Sequence, residues 1–331
     1  NIVHTWIILI HKIRTLKINH HIQLILLDQG NAAGEGWTWE DCVLTLSGDT
    51  RVKAVEFRGT VGNAKLVLNG DVSLDATEMG YDANWNAIAA VTARCDLEID
   101  TGGHTLTLYN DYADGLRAEL CNVTISGGIV EIANGGSYAI YMAGGDLTVQ
   151  NATLRSANEI YMTEGYDADY NSIPAGDVVL NRAMVELASP ITAYGSLEIL
   201  SSIVTVTGGY EALYVSTAVT IRDSDLSVAA DGYALKSNGQ ITVDNCTLDL
   251  TAGESVIYRS HYHYEGDDES AIPGTDCIGL HNMTVVQPEG WSVRRNQTDY
   301  DYYTRYHVEV VDGAGSPATT LRTTAAGDAH E

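Results

Sequence analysis

The feature that most constrains the fold is a short segment that recurs along the middle of the chain. The clearest copies are LTVQNATL (147–154), VTIRDSDL (219–226), ITVDNCTL (241–248) and IGLHNMTV (278–285). In these and in weaker copies from residue 66 onward, the first and third positions are aliphatic, and the residue between them is usually polar. Such an alternation with period two is typical of a β-strand that buries one face.

Each copy continues in the same way. Its fifth position is often Gly, Asn or Asp, as at Asn151, Asp223 and Asn245, and these residues tolerate the left-handed backbone of a tight bend. A second short strand follows the bend, and a third precedes the next copy. Three short strands per coil, without helical periodicity, predict an all-β parallel solenoid of about ten coils with loop insertions.

The repeat also suggests domain boundaries. Residues 36–311 are assigned to the solenoid, and residues 312–331 are predicted to be a flexible tail or linker. Residues 1–35 differ from the rest, because they contain no acidic residue before Asp28, and a targeting remnant is one interpretation of them. Their longest apolar run, Trp6–Ile10, is too short to span a bilayer, so no transmembrane segment is predicted.

Charge and cysteine content exclude several classes of function. The chain has 44 acidic and 18 basic side chains, a formal net charge of −26. A nucleic-acid partner is not expected, because affinity for phosphate backbones depends on Lys and Arg. The five cysteines are scattered without a CxxC pair, which argues against a zinc site, and their odd number argues against a complete disulfide framework.

One column of predicted outward-facing residues is rich in tyrosine. It immediately follows the buried column of the third strand and contains Arg117, Tyr141, Tyr161, Thr192, Tyr214, Lys236 and Tyr258. We expect Tyr141, Tyr161, Tyr214, Tyr258 and Lys236 to form a ligand-binding stripe. The alternative is an aromatic ladder that only stabilises the sheet through cross-strand contacts. The ratio of 19 Tyr to one Phe favours a solvated, hydrogen-bonding face.

Three insertions between coils resemble one another. They contain EMGYDANWNAI (78–88), TEGYDADYNSIP (163–174) and HYEGDDESAIP (263–273). Their flat side chains suit stacking on sugar rings, and the candidates are Tyr81, Trp85, Tyr166, Tyr170 and Tyr264. Their acidic side chains offer oxygen ligands for Ca²⁺, and the candidates are Asp82, Asp167, Asp169, Asp267, Asp268 and Glu269. In the alternative interpretation the insertions pack on neighbouring coils and their acids are solvated.

Support for catalysis is thinner. A polysaccharide lyase needs a cation or an acid cluster together with a base, and a glycosidase needs paired carboxylates. The acidic pairs present, Asp223 with Asp225 and Asp267 with Asp268, are not specific, and neither a nucleophile-elbow nor a phosphate-loop motif occurs. We therefore assign no catalytic residue.

The stretches DGYALKSNGQITVDNCTL (231–248), TISGG (124–128) and GWTWEDCVLTLSGD (36–49) carry a resemblance to a known superfamily. They resemble the pectin-lyase-like right-handed parallel β-helix proteins, and within these the bacterial carbohydrate-binding β-helix domains of secreted and cell-surface proteins. The likeness covers roughly residues 36–290. The Gly-His-Gly and Arg-Ile-Lys motifs of the polygalacturonase-like branch are absent. The resemblance implies a right-handed parallel β-helix that binds an extracellular glycan without catalysis.

The leading hypothesis is thus non-catalytic polysaccharide binding by a secreted or cell-surface bacterial protein, with Ca²⁺ as a candidate cofactor. The alternatives are a calcium-dependent polysaccharide lyase and a structural or adhesin solenoid that binds a protein. Because the insertions are acidic, we expect them to repel uronate polymers, which favours neutral over anionic glycans.

Overall fold

The computed structural model describes residues 7–10, 13–18, 21–28, 30–59, 61–81, 87–134 and 137–326. The chain divides into two compact units, Asn1–Gly176 and Asp177–Glu331. Both units are built almost entirely of short strands. The helices among the described residues are single 3₁₀ turns, and none of them could cross a lipid bilayer.

The first unit consists of short strands and one 3₁₀ turn, Thr77–Met79. The strands are β1 (Ile7–Ile10), β2 (Ile13–Ile18), β3 (His21–Leu27), β4 (Ala32–Gly34), β5 (Trp37–Glu40), β6 (Val43–Ser47), β7 (Ala54–Phe57), β8 (Asn63–Asn69), β9 (Val72–Asp75), β10 (Val91–Ala93), β11 (Asp96–Asp100), β12 (Thr105–Asn110), β13 (Leu116–Glu119), β14 (Val123–Ser126), β15 (Ile129–Asn134), β16 (Ile140–Ala143), β17 (Leu147–Gln150), β18 (Thr153–Ser156), β19 (Ile160–Thr163), β20 (Gly165–Tyr166) and β21 (Ser172–Ile173).

The second unit also consists of short strands, with 3₁₀ turns at Glu269–Ala271 and Thr275–Cys277. Its strands are β22 (Val178–Asn181), β23 (Met184–Leu187), β24 (Ile191–Ala193), β25 (Leu197–Leu200), β26 (Ile203–Thr207), β27 (Glu211–Val215), β28 (Val219–Arg222), β29 (Asp225–Ala230), β30 (Tyr233–Ser237), β31 (Ile241–Asp244), β32 (Thr247–Ala252), β33 (Ser255–Tyr264), β34 (Ile278–His281), β35 (Met283–Gln287), β36 (Ser292–Asp299), β37 (Tyr303–Val311) and β38 (Thr320–Ala325).

Three parallel sheets form each unit, and successive strands of the chain go to successive sheets. In the first unit, sheet A1 contains β3, β7, β10, β13, β16 and β19, sheet B1 contains β6, β8, β11, β14 and β17, and sheet C1 contains β9, β12, β15 and β18. In the second unit, A2 contains β24, β27, β30 and β33, B2 contains β22, β25, β28, β31 and β34, and C2 contains β23, β26, β29 and β32. Each unit is therefore a parallel β-solenoid with three strands per coil, as predicted.

The aliphatic repeat forms the core of both solenoids. Of the paired aliphatic positions in the nine copies from residue 66 to 280, only Leu280 is not buried. The bends after the first strand have positive φ angles, for example 49° at Asn151, 51° at Asp223 and 55° at Asn245. The predicted strand faces and bend positions are thus confirmed, because period-two burial and the left-handed bend each need particular residue types.

The two ends of the chain differ from the predicted boundaries. Strand β3 lies within the segment assigned to residues 1–35, yet it pairs in parallel with β7, and its residues Ile25 and Leu27 are buried. Strand β38 lies within the predicted tail at 312–331, but it pairs antiparallel with β32 and β35 and buries Leu321. Pairing at both positions covers a sheet edge that would otherwise expose unpaired backbone groups.

An antiparallel hairpin closes sheet A2. Strand β37 pairs antiparallel with β33 on one side and with β36 on the other. Sheet A2 therefore continues as a three-stranded antiparallel terminal sheet of β33, β37 and β36. This change of direction matters for the site, because it brings new aromatic residues beside the predicted tyrosine column.

Candidate functional site

The predicted outward column occurs in sheet A2. Thr192, Tyr214, Lys236 and Tyr258 pair in register on four neighbouring strands. The Lys236 ammonium lies 5.6 Å from the ring centre of Tyr214. The predicted column is therefore present in the second unit.

Tyr258 does not have the solvent exposure that we expected. Its side chain is only 7 % exposed, because the Tyr233 ring packs against it at 4.6 Å and the His307 ring stacks on it at 5.3 Å. Burial is the main cause that raises the pKa of the Tyr258 phenol to about 12. Tyr258 therefore supports the rings around it, and a ligand would contact its neighbours.

Two tyrosines and a glutamate beside the column form what we call the tyrosine corner, which comprises Tyr210, Tyr233 and Glu254. The Tyr233 hydroxyl donates to Glu254 Oε2 at 2.7 Å, and the Tyr210 hydroxyl donates to Glu254 Oε1. The two rings stand at 89° with centres 5.7 Å apart. The hydrogen bonds from Tyr210 and Tyr233 lower the pKa of the Glu254 carboxyl, so this group is held as the acceptor of both.

The backbone around Tyr210 explains why its ring can lie where it does. A Cβ atom on Gly232 would come within 2.7 Å of the Tyr210 ring, so only glycine at this position lets the ring pack on the backbone. The turn before Tyr210 consists of Gly208 and Gly209, with φ angles of 106° and 80°. Tyr210 nevertheless stays 54 % exposed. One side of its ring is therefore fixed by the protein while the rest meets solvent.

Fixed polar groups surround the tyrosine corner. Lys236 Nζ lies 2.5 Å from Glu211 Oε1 and 5.4 Å from the Tyr233 ring centre. The Asn238 amide donates to the Tyr214 hydroxyl at 3.2 Å. The tyrosine corner thus presents an exposed aromatic ring, and beside it lie a lysine and carboxylates whose positions are set by hydrogen bonds.

In the first unit, the other half of the predicted stripe forms a stacked ladder. Arg117, Tyr141 and Tyr161 pair in register, and the Arg117 guanidinium lies 4.7 Å from the Tyr141 ring centre. The Tyr161 ring stacks on Tyr138 at 4.8 Å and on Tyr141 at 6.1 Å. Because these rings face one another, the ladder that we considered as the alternative describes Tyr141 and Tyr161 better than a stacking surface does.

The aromatic residues of the insertions are exposed or lie outside the described residues. Trp85 lies outside the described residues, and Tyr81, four residues earlier in the sequence, is 60 % exposed. Tyr166 donates to Glu164 at 2.6 Å, and Tyr170 is 87 % exposed at the tip of the β20–β21 hairpin. Tyr264 is also exposed, with its ring centre 5.6 Å from that of Tyr303 in the terminal sheet.

The proposed calcium ligands are largely engaged within their own loops. Asp167 accepts from the backbone of Asp169 and from the side chain of Asn171 at 2.8 and 2.9 Å. Asp267 accepts from the backbone of Tyr264, and Asp268 from that of Ser270. The remaining candidates Asp169 and Glu269 are exposed, and Asp82 lies outside the described residues.

Among the described residues, no group of three or more His, Cys, Asp or Glu side chains is arranged to hold a metal ion. Calcium binding therefore stays a prediction that rests on the residue types in the insertions. Its simplest test is a calorimetric titration of the chain with Ca²⁺ after treatment with a chelator.

Sequence reasoning missed the central residues of the tyrosine corner. Tyr210 and Glu254 lie in turns before their strands, outside the period-two column, and Tyr233 precedes the predicted position by three residues. A usable signal existed, because a Gly-Tyr pair occurs at 209–210 and again at 232–233 in successive coils. Tyr233 pairs with Glu211, so Gly232 of the second pair lies opposite Tyr210 of the first, and a glycine opposite an aromatic residue leaves room for a ring packed on backbone.

Similarity to other proteins gives no further guide to the site. Comparison with protein-family models, with curated proteins and with solved structures found no match to this chain. A function for it has to be argued from its own residues.

Proposed function

We propose that this chain is a non-catalytic glycan-binding β-solenoid, secreted or displayed on a cell surface, whose binding site is the tyrosine corner of the second unit. One observation carries the proposal. The half-exposed ring of Tyr210 is fixed by the backbone of Gly232 and by a hydrogen bond to Glu254. A solvated aromatic ring that cannot move is a surface on which the C–H face of a sugar can stack.

The neighbours of Tyr210 suit the hydroxyl groups of a sugar. The Glu211 carboxylate and the Lys236 ammonium form an ion pair beside the ring, and each retains hydrogen-bonding capacity. Because these groups are already held in place, a ligand loses little affinity to the ordering of side chains. Stacking together with fixed donors and acceptors supports sugar recognition better than binding of a purely apolar ligand.

The charge of the site favours a neutral glycan. Around Tyr210 there are one cation, Lys236, and two carboxylates, Glu211 and Glu254. A uronate would meet a site with a net negative charge on a chain whose formal charge is −26. A neutral polysaccharide avoids this repulsion.

Affinity electrophoresis through gels containing soluble neutral polysaccharides, with depletion by insoluble ones, tests the proposal. We expect Tyr210→Ala to weaken binding about tenfold, as for a central aromatic contact. Tyr210→Phe keeps the ring but removes its hydrogen bond to Glu254, so it should bind more tightly than Tyr210→Ala and more weakly than the wild type. The matched control is Tyr112→Ala, which removes a tyrosine that is 69 % exposed in the first unit.

Equal retardation of Tyr210→Ala and the wild type would contradict this site. Absorbance of unsaturated uronides, or new reducing ends, in the same mixtures would instead favour the lyase or another enzyme. A blank polysaccharide panel together with capture of a protein would favour the adhesin alternative.

A further inference from the structure

A polar groove lies on the outer face of sheet B1 in the first unit. Its volume is about 430 Å³, which is within the range of small-ligand sites. The polar side chains that line it are Asn63, Asp96, Glu98, Asn122, Thr124 and Gln150. No aromatic residue lines it, so it differs in chemistry from the tyrosine corner.

The register of the strands explains how the groove forms. Asn63 pairs with Asp96, and Glu98 pairs with Thr124, on β8, β11 and β14. Gln150 follows on β17, opposite Ser126. The groove therefore crosses four strands, which is about 14 Å at the usual strand spacing.

The polar groups of the groove are only partly used by the protein. Asp96 Oδ1 accepts from the backbone of Asn122 at 2.8 Å, and Asn122 Oδ1 accepts from the backbone of Asp146 at 2.9 Å. These bonds fix both side chains, and Asp96 Oδ2 and Asn122 Nδ2 form no hydrogen bond among the described residues. Within the described part of the chain, the side chains of Thr124 and Gln150 form no hydrogen bond.

The charge of the groove is also only partly balanced. Glu98 forms an ion pair with Lys65 at 2.8 Å, whereas Asp96 has no cationic partner among the described residues. A ligand that complements the groove must therefore bring one positive charge for Asp96. It must also bring hydroxyl groups for the free amides and the Thr124 hydroxyl.

We propose that this groove binds an amino sugar with a free ammonium group. In the proposed complex the ammonium forms an ion pair with Asp96 Oδ2. The sugar hydroxyls form hydrogen bonds with the amides of Asn122 and Gln150 and with the hydroxyl of Thr124. A metal ion suits the groove less, since the described carboxylates do not form a group of three that could hold one. The proposal does not depend on glycan binding at the tyrosine corner, because every residue of the groove belongs to the first unit.

Ligand titrations of the full chain, followed by NMR of the sugar resonances at mildly acidic pH, test the proposal. The probes are glucosamine, N-acetylglucosamine, glucose and 1,4-diaminobutane. We expect glucosamine to bind in about the millimolar range, because the site is open and its charge pair is solvated. N-acetylglucosamine and glucose lack the charge, and the diamine lacks the hydroxyls, so each should bind at least about tenfold more weakly.

Asp96→Asn is the decisive variant, because it keeps the acceptor for the backbone of Asn122 and removes the charge. We expect it to lower glucosamine affinity about tenfold. The control is Asp75→Asn, since Asp75 is an exposed residue outside the groove that likewise accepts from a backbone N–H.

Equal binding of glucose and glucosamine would overturn the role of the charge, and equal binding of the diamine would overturn the role of the hydroxyls. Unchanged glucosamine affinity in Asp96→Asn would overturn the placement, and so would the absence of binding at about 50 mM glucosamine.

Discussion

The hydroxyl of Tyr210 donates to the carboxylate of Glu254, a residue 44 positions later in the chain. The other oxygen of the same carboxylate accepts from Tyr233, which lies on the strand between them in sheet A2. One carboxylate therefore joins three successive coils and sets the angle between two rings. This contact is what distinguishes the tyrosine corner from a set of unrelated surface tyrosines.

The first prediction concerns Glu254→Gln. The amide keeps one acceptor and loses the negative charge, so the two phenols no longer share a carboxylate. We expect glycan affinity to fall about fivefold to tenfold, because hydrogen bonds to a charged group are stronger than neutral ones. Thermal stability should change little, since Glu254 is exposed. The measurement is affinity electrophoresis alongside a thermal melt.

Glu186→Gln is the control for that variant, because Glu186 is exposed on strand β23 of another sheet. The glycan affinity of Glu186→Gln should equal that of the wild type. If Glu254→Gln binds as the wild type does, the carboxylate does not position the rings for binding.

Much of the fold could be predicted because it depends on local rules that repeat. Buried positions such as Ile199 and Ile221 follow from alternation, and bends such as Asp223 follow from residues that tolerate a left-handed backbone. Both rules recur in most coils, so the copies reinforce one another in the sequence, and the bend at Arg182 is an exception to the second rule. The register of the outward column at Tyr214 and Lys236 follows for the same reason.

The parts that could not be predicted depend on contacts without a repeat. Strand β38 has no counterpart in earlier coils, because it closes the end of a sheet by antiparallel pairing. Burial of Tyr258 depends on His307, which lies on strand β37 of the terminal sheet, and this strand does not belong to the repeat either. To predict the hydrogen bond between Tyr210 and Glu254, one must know which turns are neighbours, and the alternation within strands does not give this information.

The second prediction concerns stability at alkaline pH. Burial raises the pKa of Tyr258 from 10.0 to about 12 in the folded chain. Between these values the folded state holds a proton that the unfolded state has lost, so stability falls as the pH rises from 10 to 12. Tyr258→Phe removes this contribution, and we expect its melting temperature to fall less steeply over that range.

Tyr112→Phe is the control for the alkaline melts, because Tyr112 is exposed. It should follow the wild-type slope. Identical slopes for the wild type and Tyr258→Phe would mean that the phenol of Tyr258 is not protected from ionisation in the fold.

The third prediction concerns the bend at Arg182. Its φ angle is 51°, a left-handed conformation that costs an ordinary side chain about 1 kcal/mol. Asparagine tolerates this conformation and occupies the equivalent bend at Asn151 and Asn245. We expect Arg182→Asn to raise the free energy of unfolding by about 0.5–1 kcal/mol, measured by urea denaturation.

The matched control for the bend is Arg222→Asn. Arg222 is exposed on strand β28, where the backbone is extended and asparagine is unfavourable. This variant should show no gain in stability. A gain of equal size in both variants would point to removal of an arginine, rather than relief of the backbone, as the cause.

The fourth prediction concerns Glu309, a carboxylate that is 3 % exposed in the terminal sheet. It lies 3.0 Å from Arg294 Nη2 and 3.2 Å from the amide of Asn296. Burial alone would raise the pKa of Glu309, but hydrogen bonds from His307 and Arg294 outweigh it and lower the pKa. The carboxylate therefore contributes stability above its unfolded pKa of about 4.5, and this contribution is lost as the pH falls through the lower folded value.

Glu309→Gln tests this ion pair at two pH values. At pH 7 we expect a loss of about 2 kcal/mol, because hydrogen bonds to a buried charge are replaced by neutral ones. Near pH 3 the gap between variant and wild type should narrow, since the wild type is losing the same contribution. Asp249→Asn is the control, because the pair of Asp249 with Arg322 is more than half exposed on both sides and should contribute less than about 1 kcal/mol. A loss at Glu309 that stays constant from pH 7 to pH 3 would show that packing, and not the charge, accounts for it.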